Sequence, residues 1–154
     1  MADKPFKQVL EEAVRTLDIV RYRLQNRKKR LEDMDKRMFR EIVSNLRKGQ
    51  RDRAKVIANE LSLIRKSIKM VLTLEIALET IKQRLVTAHD FGQIAALLSP
   101  AIQLTKELSP NLARIMPEAN LEIEESLTEL SNLVVETGGI RAVSYTHLTL
   151  PTKA

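Results

Sequence analysis

The apolar positions in the first half of the chain fall in steps of three and four. In the first run they are Phe6, Leu10, Ala13, Leu17, Val20, Leu24, Leu31, Met34 and Met38, with Arg27 standing at the one missing position. In the second they are Ala54, Ile57, Leu61, Ile64, Ile68, Val71 and Leu78, with Glu75 filling the gap. This rhythm draws one stripe along a helix, and a stripe sustained this long is a seam for a second helix. Arg47-Lys48-Gly49-Gln50-Arg51 separates the two runs. A short break containing glycine between two such helices predicts an antiparallel hairpin. At a rise of about 1.5 Å per residue each arm is on the order of 60 Å long. The candidate seam and assembly residues are Leu17, Leu24 and Leu31 on the first helix and Ile57, Leu61, Ile64, Ile68 and Val71 on the second.

The pattern predicts further elements. The first helix starts near Pro5, a residue suited to an early helical position, and runs to about Arg47. The second runs from about Arg51 to His89. Asp90-Phe91-Gly92 reads as a hinge, and a third helix follows over about residues 94–108. Pro100 either kinks this helix or restarts it behind Ser99, and Ser109-Pro110-Asn111 reads as a second break. Gly92 and Pro100 are the candidate hinge residues. Pro117 opens a last helix with Leu121, Leu127, Leu130 and Val134 on its apolar side, and Gly138-Gly139 closes it. Glu118 and Glu122 lie near its start, where the helix dipole favours carboxylates. Residues 144–151 break the pattern with alternating polar and apolar β-formers. They read either as a short strand or as translated vector or adaptor sequence, so residues 1–139 are taken as the domain and 140–154 as a tail.

Composition narrows the class. The 154 residues suit one domain, and aromatic residues make up only 3%. A core of Leu, Ile, Val and Met at helical spacing predicts an all-α fold. No cysteine is present, which excludes disulfides, thiolate metal sites and a cysteine nucleophile and suits a reducing compartment. The longest purely apolar run, Ile94-Ala95-Ala96-Leu97-Leu98, is far too short to span a bilayer. The N-terminus carries no apolar signal segment, so the expectation is a cytoplasmic chain able to lie on a membrane surface.

Charge is divided along the chain. Residues 1–89 hold 22 Lys and Arg against 12 Asp and Glu, whereas residues 90–154 hold 4 against 8. A basic arm followed by an acidic segment suits an anionic partner for the first and back-folding for the second. At about 100° per residue, Arg15, Lys29, Lys36, Arg37, Arg40 and Arg47 share a sector of about 100° opposite the apolar stripe. Three readings of this face stand: a solvated surface, a membrane-binding surface, and a nucleic-acid surface. An anionic leaflet attracts each cation by about 1 kcal/mol, so six aligned residues would bind without insertion. Phosphate neutralisation would also serve nucleic acid. The absence of aromatic stacking platforms and of a recognition-helix or zinc signature ranks that reading below the membrane.

Catalytic chemistry is not expected. His89 and His147 have no partners at ligand spacing, and His89 reads as a helix C-terminal cap. Glu122, Glu124 and Glu125 read as a solvated acidic face rather than a metal site. No phosphate-binding loop, dinucleotide fingerprint or nucleophile elbow occurs, and no cofactor or metal is implied. Tyr22, among the basic residues, reads as an interfacial or packing residue.

Two segments carry a resemblance. Arg53-Ala54-Lys55-Val56-Ile57-Ala58-Asn59-Glu60-Leu61, followed by Ile64-Arg65-Lys66, resembles the second helix of the ESCRT-III hairpin. Leu112-Ala113-Arg114-Ile115-Met116-Pro117-Glu118, with Val134-Val135-Glu136-Thr137-Gly138, looks like the archaeal cell-division (CdvB-type) branch of that family. The resemblance covers about residues 5–139 and rests on helix pattern and charge together with these segments. It implies a hairpin followed by shorter helices, closed when the acidic helices pack back on the hairpin and open when hairpins stack into filaments. It further implies a homopolymer, related ESCRT-III subunits and an anionic membrane as partners, at the inner face of the cell membrane and the division site, with membrane remodelling in division or vesicle budding as the function. The family's AAA ATPase-binding motif and its winged-helix-like recruitment segment are not visible, so ATPase recruitment has no support in these residues. The alternative from another class is a soluble coiled-coil adaptor forming a discrete oligomer, which differs from a filament in that its assembly stops at a fixed number.

Overall fold

The computed structural model describes the backbone of residues 5–153 and the side chains of residues 5–136. Four helices follow one another: α1 (Phe6–Arg47), α2 (Arg51–Leu85), α3 (Phe91–Ile115) and α4 (Pro117–Lys153). No strand occurs among the described residues. The all-α class and the long antiparallel hairpin read from the pattern are both present, with α1 and α2 as its arms.

The hairpin turn is built by backbone geometry. Gln50 N–H donates to Asn45 O at 2.8 Å and Gly49 N–H to Leu46 O at 3.1 Å, which together form a Schellman closure of α1. Gly49 adopts φ 75°, the left-handed region that glycine enters without a Cβ penalty. No atom lies within 4 Å of the position its Cβ would take, so the demand for glycine is conformational rather than steric.

The seam buries Val9, Ala13, Leu17, Val20, Leu24 and Leu31 of α1 against Ala54, Leu61, Ile64, Val71, Leu74, Leu78, Ile81 and Leu85 of α2. Ile57 and Ile68, expected in the seam, are half-buried. Phe6 turns instead to α3, where its ring meets Phe91 edge-on at 5.6 Å. α3 packs on α2, and α4 packs on both α3 and α1, which makes a four-helix body at the end of the hairpin remote from the turn. Ile94, Leu98, Ala101, Ile102 and Leu112 of α3 and Ile123, Leu127, Leu130 and Leu133 of α4 complete its core. The acidic helices therefore lie folded back on the hairpin.

Several expected boundaries are corrected. α2 ends at Leu85 rather than His89, and Val86–Asp90 forms the break. Asp90 caps α3 by accepting from Gln93 N–H at 2.8 Å, which places Gly92 in the first turn of α3 rather than in the hinge itself. His89 lies four residues past the end of α2, and its backbone N–H donates to the Gln93 side chain at the start of α3. Pro100 and Pro110 lie inside a continuous α3. A proline removes one N–H from the ladder, and packing on both sides of each site carries the helix through. Leu121 is 60% exposed because it sits about 160° around α4 from the stripe set by Ala119, Ile123, Leu127 and Leu130. The backbone of α4 continues past Gly138 and Gly139 to Lys153, so neither the stop at the glycine pair nor the strand over residues 144–151 is found. Glycines weaken a helix by about 1 kcal/mol each without breaking its hydrogen bonds, and a strand would need a partner strand.

Candidate functional site

All six cations of the expected basic face are solvent-exposed, and among the described residues none forms an ion pair. The reason lies in the phase of the helix. With the buried Leu17, Leu24 and Leu31 recurring every seven residues, Arg15, Lys29 and Lys36 recur at the same interval on the opposite side. Tyr22 belongs to that series and is 65% exposed, so it points outward with the cations and does not pack.

The structure splits the group. Arg15 borders a groove of about 360 Å³ between α1 and α4, whose rim includes Glu12, Glu129 and Glu136. Lys29, Lys36, Arg37, Arg40 and Arg47 continue along α1 toward the turn; Lys29 is level with the first turn of α4 but about 160° around α1 from Arg27, and the other four lie past the start of α4. Lys48, Arg51, Arg53 and Lys55 are exposed around the same turn and extend the basic surface onto α2. They were not part of the expected face, although the run Arg47-Lys48…Arg51-Asp52-Arg53-Ala54-Lys55 displays them in the sequence.

The two gaps in the seam rhythm hold the polar contacts between helices. Glu75 of α2 accepts from Gln25 Nε2 at 2.8 Å and from Lys28 Nζ at 3.1 Å. Burial alone would raise the pKa of this carboxyl. The hydrogen bonds from Gln25 and Lys28, with the charges of Lys28 and Arg21, outweigh burial and hold it below the usual carboxylate value. Arg27 is only 7% exposed and pairs with Glu122 of α4. Arg23 donates to the Glu122 carbonyl at 3.3 Å and also reaches the Ser126 hydroxyl. The Arg27 hydrogen bond lowers the Glu122 pKa against the opposing effect of desolvation, and the charges of Arg27, Arg23 and Arg30 lower it further. Glu122 thus belongs to a clasp and not to a solvated acidic face. Glu124 is likewise engaged: it accepts from Asn120 Nδ2 at 3.2 Å and lies 2.9 Å from the Ser109 hydroxyl, tying α3 to α4. The clasp's basic half was visible in the sequence as an arginine on an apolar stripe; its acidic half, far along the chain, was not.

Candidate hinge residues stand apart from this clasp. Gly92 opens α3, and Pro100 lies in its interior. Among the described residues no group of His, Asp or Glu is placed to hold a metal ion. No described helix is long and apolar enough to cross a membrane.

Among the known proteins similar to the chain are two of Sulfolobus acidocaldarius. The chain is 37% identical over 115 residues to Cell division protein B1, an alignment covering 75% of this chain and 54% of that protein. It is 29% identical over 118 residues to Cell division protein B, covering 77% of this chain and 45% of that protein. The chain spans about half the length of the curated relatives it matches. No family model and no solved structure matches it.

Proposed function

Because the chain belongs with the Cell division protein B relatives, the CdvB type of ESCRT-III subunit, we propose that it is a membrane-remodelling filament subunit of archaeal cell division. In this reading the distal stretch of α1 lies on an anionic membrane at the division site. The observation that carries it is the basic face: Lys29, Lys36, Arg37, Arg40 and Arg47 are exposed and free of ion pairs among the described residues, and all but Lys29 lie past the start of α4. At about 1 kcal/mol per cation near an anionic leaflet, five such residues supply about 5 kcal/mol, a sub-millimolar attraction, without an inserted helix. The folded-back arrangement of α3 and α4 is the resting form, and Val86–Asp90 is the segment about which they swing away. Open hairpins then stack side by side as a homopolymer.

The test is co-sedimentation with vesicles of phosphatidylserine and phosphatidylcholine, against phosphatidylcholine alone, at physiological salt. Wild type is expected to pellet only with the anionic vesicles. A chain carrying Lys29→Glu, Lys36→Glu, Arg37→Glu and Arg40→Glu is expected to stay in the supernatant with its helicity unchanged by circular dichroism. Undiminished pelleting of that variant overturns the assignment of the face.

A further inference from the structure

Four exposed cations of α1, Lys29, Lys36, Arg40 and Arg47, are spaced seven, four and seven residues apart. Four exposed carboxylates of α4, Glu118, Glu125, Glu129 and Glu136, have the same spacing of seven, four and seven. On each helix the four residues fall within about 40° of arc, and each row is about 27 Å long. Two straight rows of equal length, identical spacing and opposite charge are complementary at every position.

The two rows do not meet within one molecule. Glu122 meets Arg27 and Ser126 meets Arg23, so α4 runs antiparallel to α1, and the acidic row flanks that contact, with Glu129 and Glu136 on the open rim of the groove that Arg15 borders. In that register the first residue of α4 is level with roughly position 32 of α1, which leaves Lys36, Arg40 and Arg47 past its end. None of the eight side chains forms an ion pair among the described residues. Charge also differs between the helices as wholes. Residues 117–136 contain six glutamates and no Lys or Arg, whereas residues 34–66 contain ten Lys and Arg against four Asp and Glu.

We infer that the exposed acidic row of α4 docks on the α1 basic row of a second copy of this chain, antiparallel, pairing Glu118 with Arg47, Glu125 with Arg40, Glu129 with Lys36 and Glu136 with Lys29. The spacing is palindromic and would allow either direction. The apolar neighbours choose the antiparallel one. Phe39 and Leu46 (53% and 52% exposed) lie on one flank of the basic row, and Leu121 lies on the equivalent flank of the acidic row. An antiparallel pair puts equivalent flanks on the same side and brings Leu121 beside Leu46, while a parallel pair separates them. The contact joins two different surfaces, so each copy keeps one of each free and the assembly is open-ended. It rests on the self-assembling reading above and adds to it a second self-contact, made by the folded-back form away from the membrane. An anionic membrane competes for the basic row.

Sedimentation velocity of the full chain without lipid tests this at about 50 mM and about 500 mM salt, where screening separates weak from strong exposed pairs. Wild type is expected to associate at low salt and dissociate at high salt. Glu125→Lys with Glu129→Lys, and separately Lys36→Glu with Arg40→Glu, are each expected to weaken association about tenfold or more, as loss of two pairs and gain of two repulsions implies. The chain carrying all four reversals restores opposite charge at the two central positions and is expected to associate again, which a folding defect would not allow. A monomeric wild type at low salt, reversals without effect, or no recovery in the fourfold variant each overturns the inference. Glu125→Lys with Glu129→Lys leaves the basic row intact and should still bind anionic vesicles. Loss of vesicle binding by wild type with association intact would instead sink only the membrane reading.

Discussion

Arg27 of α1 and Glu122 of α4, separated by 95 positions in the chain, form an ion pair that ties the last helix to the first. Arg27 occupies a position that the heptad rhythm reserves for an apolar residue. Its guanidinium is buried, and its Nη1 has no hydrogen-bond partner in the structure. An arginine held this way depends on its one carboxylate.

Glu122→Gln should therefore loosen α4 and leave a buried charge without compensation. The expected cost is about 1–2 kcal/mol, below the figure for a fully buried pair because Glu122 remains partly open to water. Arg27→Leu restores the apolar rhythm and should keep or raise hairpin stability while still releasing α4. Hydrogen exchange separates the two effects: both variants should exchange faster in α4, and only Glu122→Gln should melt lower.

Acid should weaken the fold through the same groups. Glu75 and Glu122 both have folded-state pKa values below their ordinary values, so each contributes stability that is fully present above the unfolded pKa. That contribution is lost as pH falls through the folded values, beginning below about pH 4.5. Melting curves from neutral pH downward should show this decline. In a chain carrying Glu75→Gln and Glu122→Gln the curve should be flatter over that window; an unchanged slope would remove these two carboxylates as its cause.

Ser67 is fully buried on the seam side of α2, and its hydroxyl has no hydrogen-bond partner in the structure. Ser67→Ala removes the unpaired group and slightly favours the helix. It should stabilise the chain by about 0.5–1.5 kcal/mol and raise the melting temperature by a few degrees. A lower melting temperature would mean that the hydroxyl is satisfied after all.

Gly49→Ala should cost about 1 kcal/mol, because alanine pays for φ 75° while meeting no clash there. Gly49→Asn should cost less, since asparagine tolerates the left-handed region. Equal costs for the two would point to a steric origin.

The hairpin was legible because its two signals are local. A stripe of apolar residues at helical spacing and a glycine at the turn need no knowledge of the rest of the chain, and Leu17, Leu24, Leu31, Leu61, Ile64 and Val71 are buried as that stripe requires. The outward direction of Lys29, Lys36, Arg37, Arg40 and Arg47 follows from the same phase. The boundaries around Pro100 and Pro110 were misread because proline signals a break only where packing does not hold the helix together, and α2 and α4 hold α3 on both sides. Leu121 was misplaced because a single apolar residue does not fix the phase of a helix; Ala119, Ile123, Leu127 and Leu130 fix it collectively.

By itself, the sequence determined the helices, the hairpin, the basic face and the division of charge, since each depends on periodicity and composition within one segment. Tertiary structure alone decided that α4 folds back antiparallel on α1, that Arg27 meets Glu122, and that Glu75 receives Gln25 and Lys28. A seam position occupied by Arg27 announces a need for a counter-charge, but several glutamates could meet it. Only the packing of α3 between the hairpin and α4 sets which one arrives.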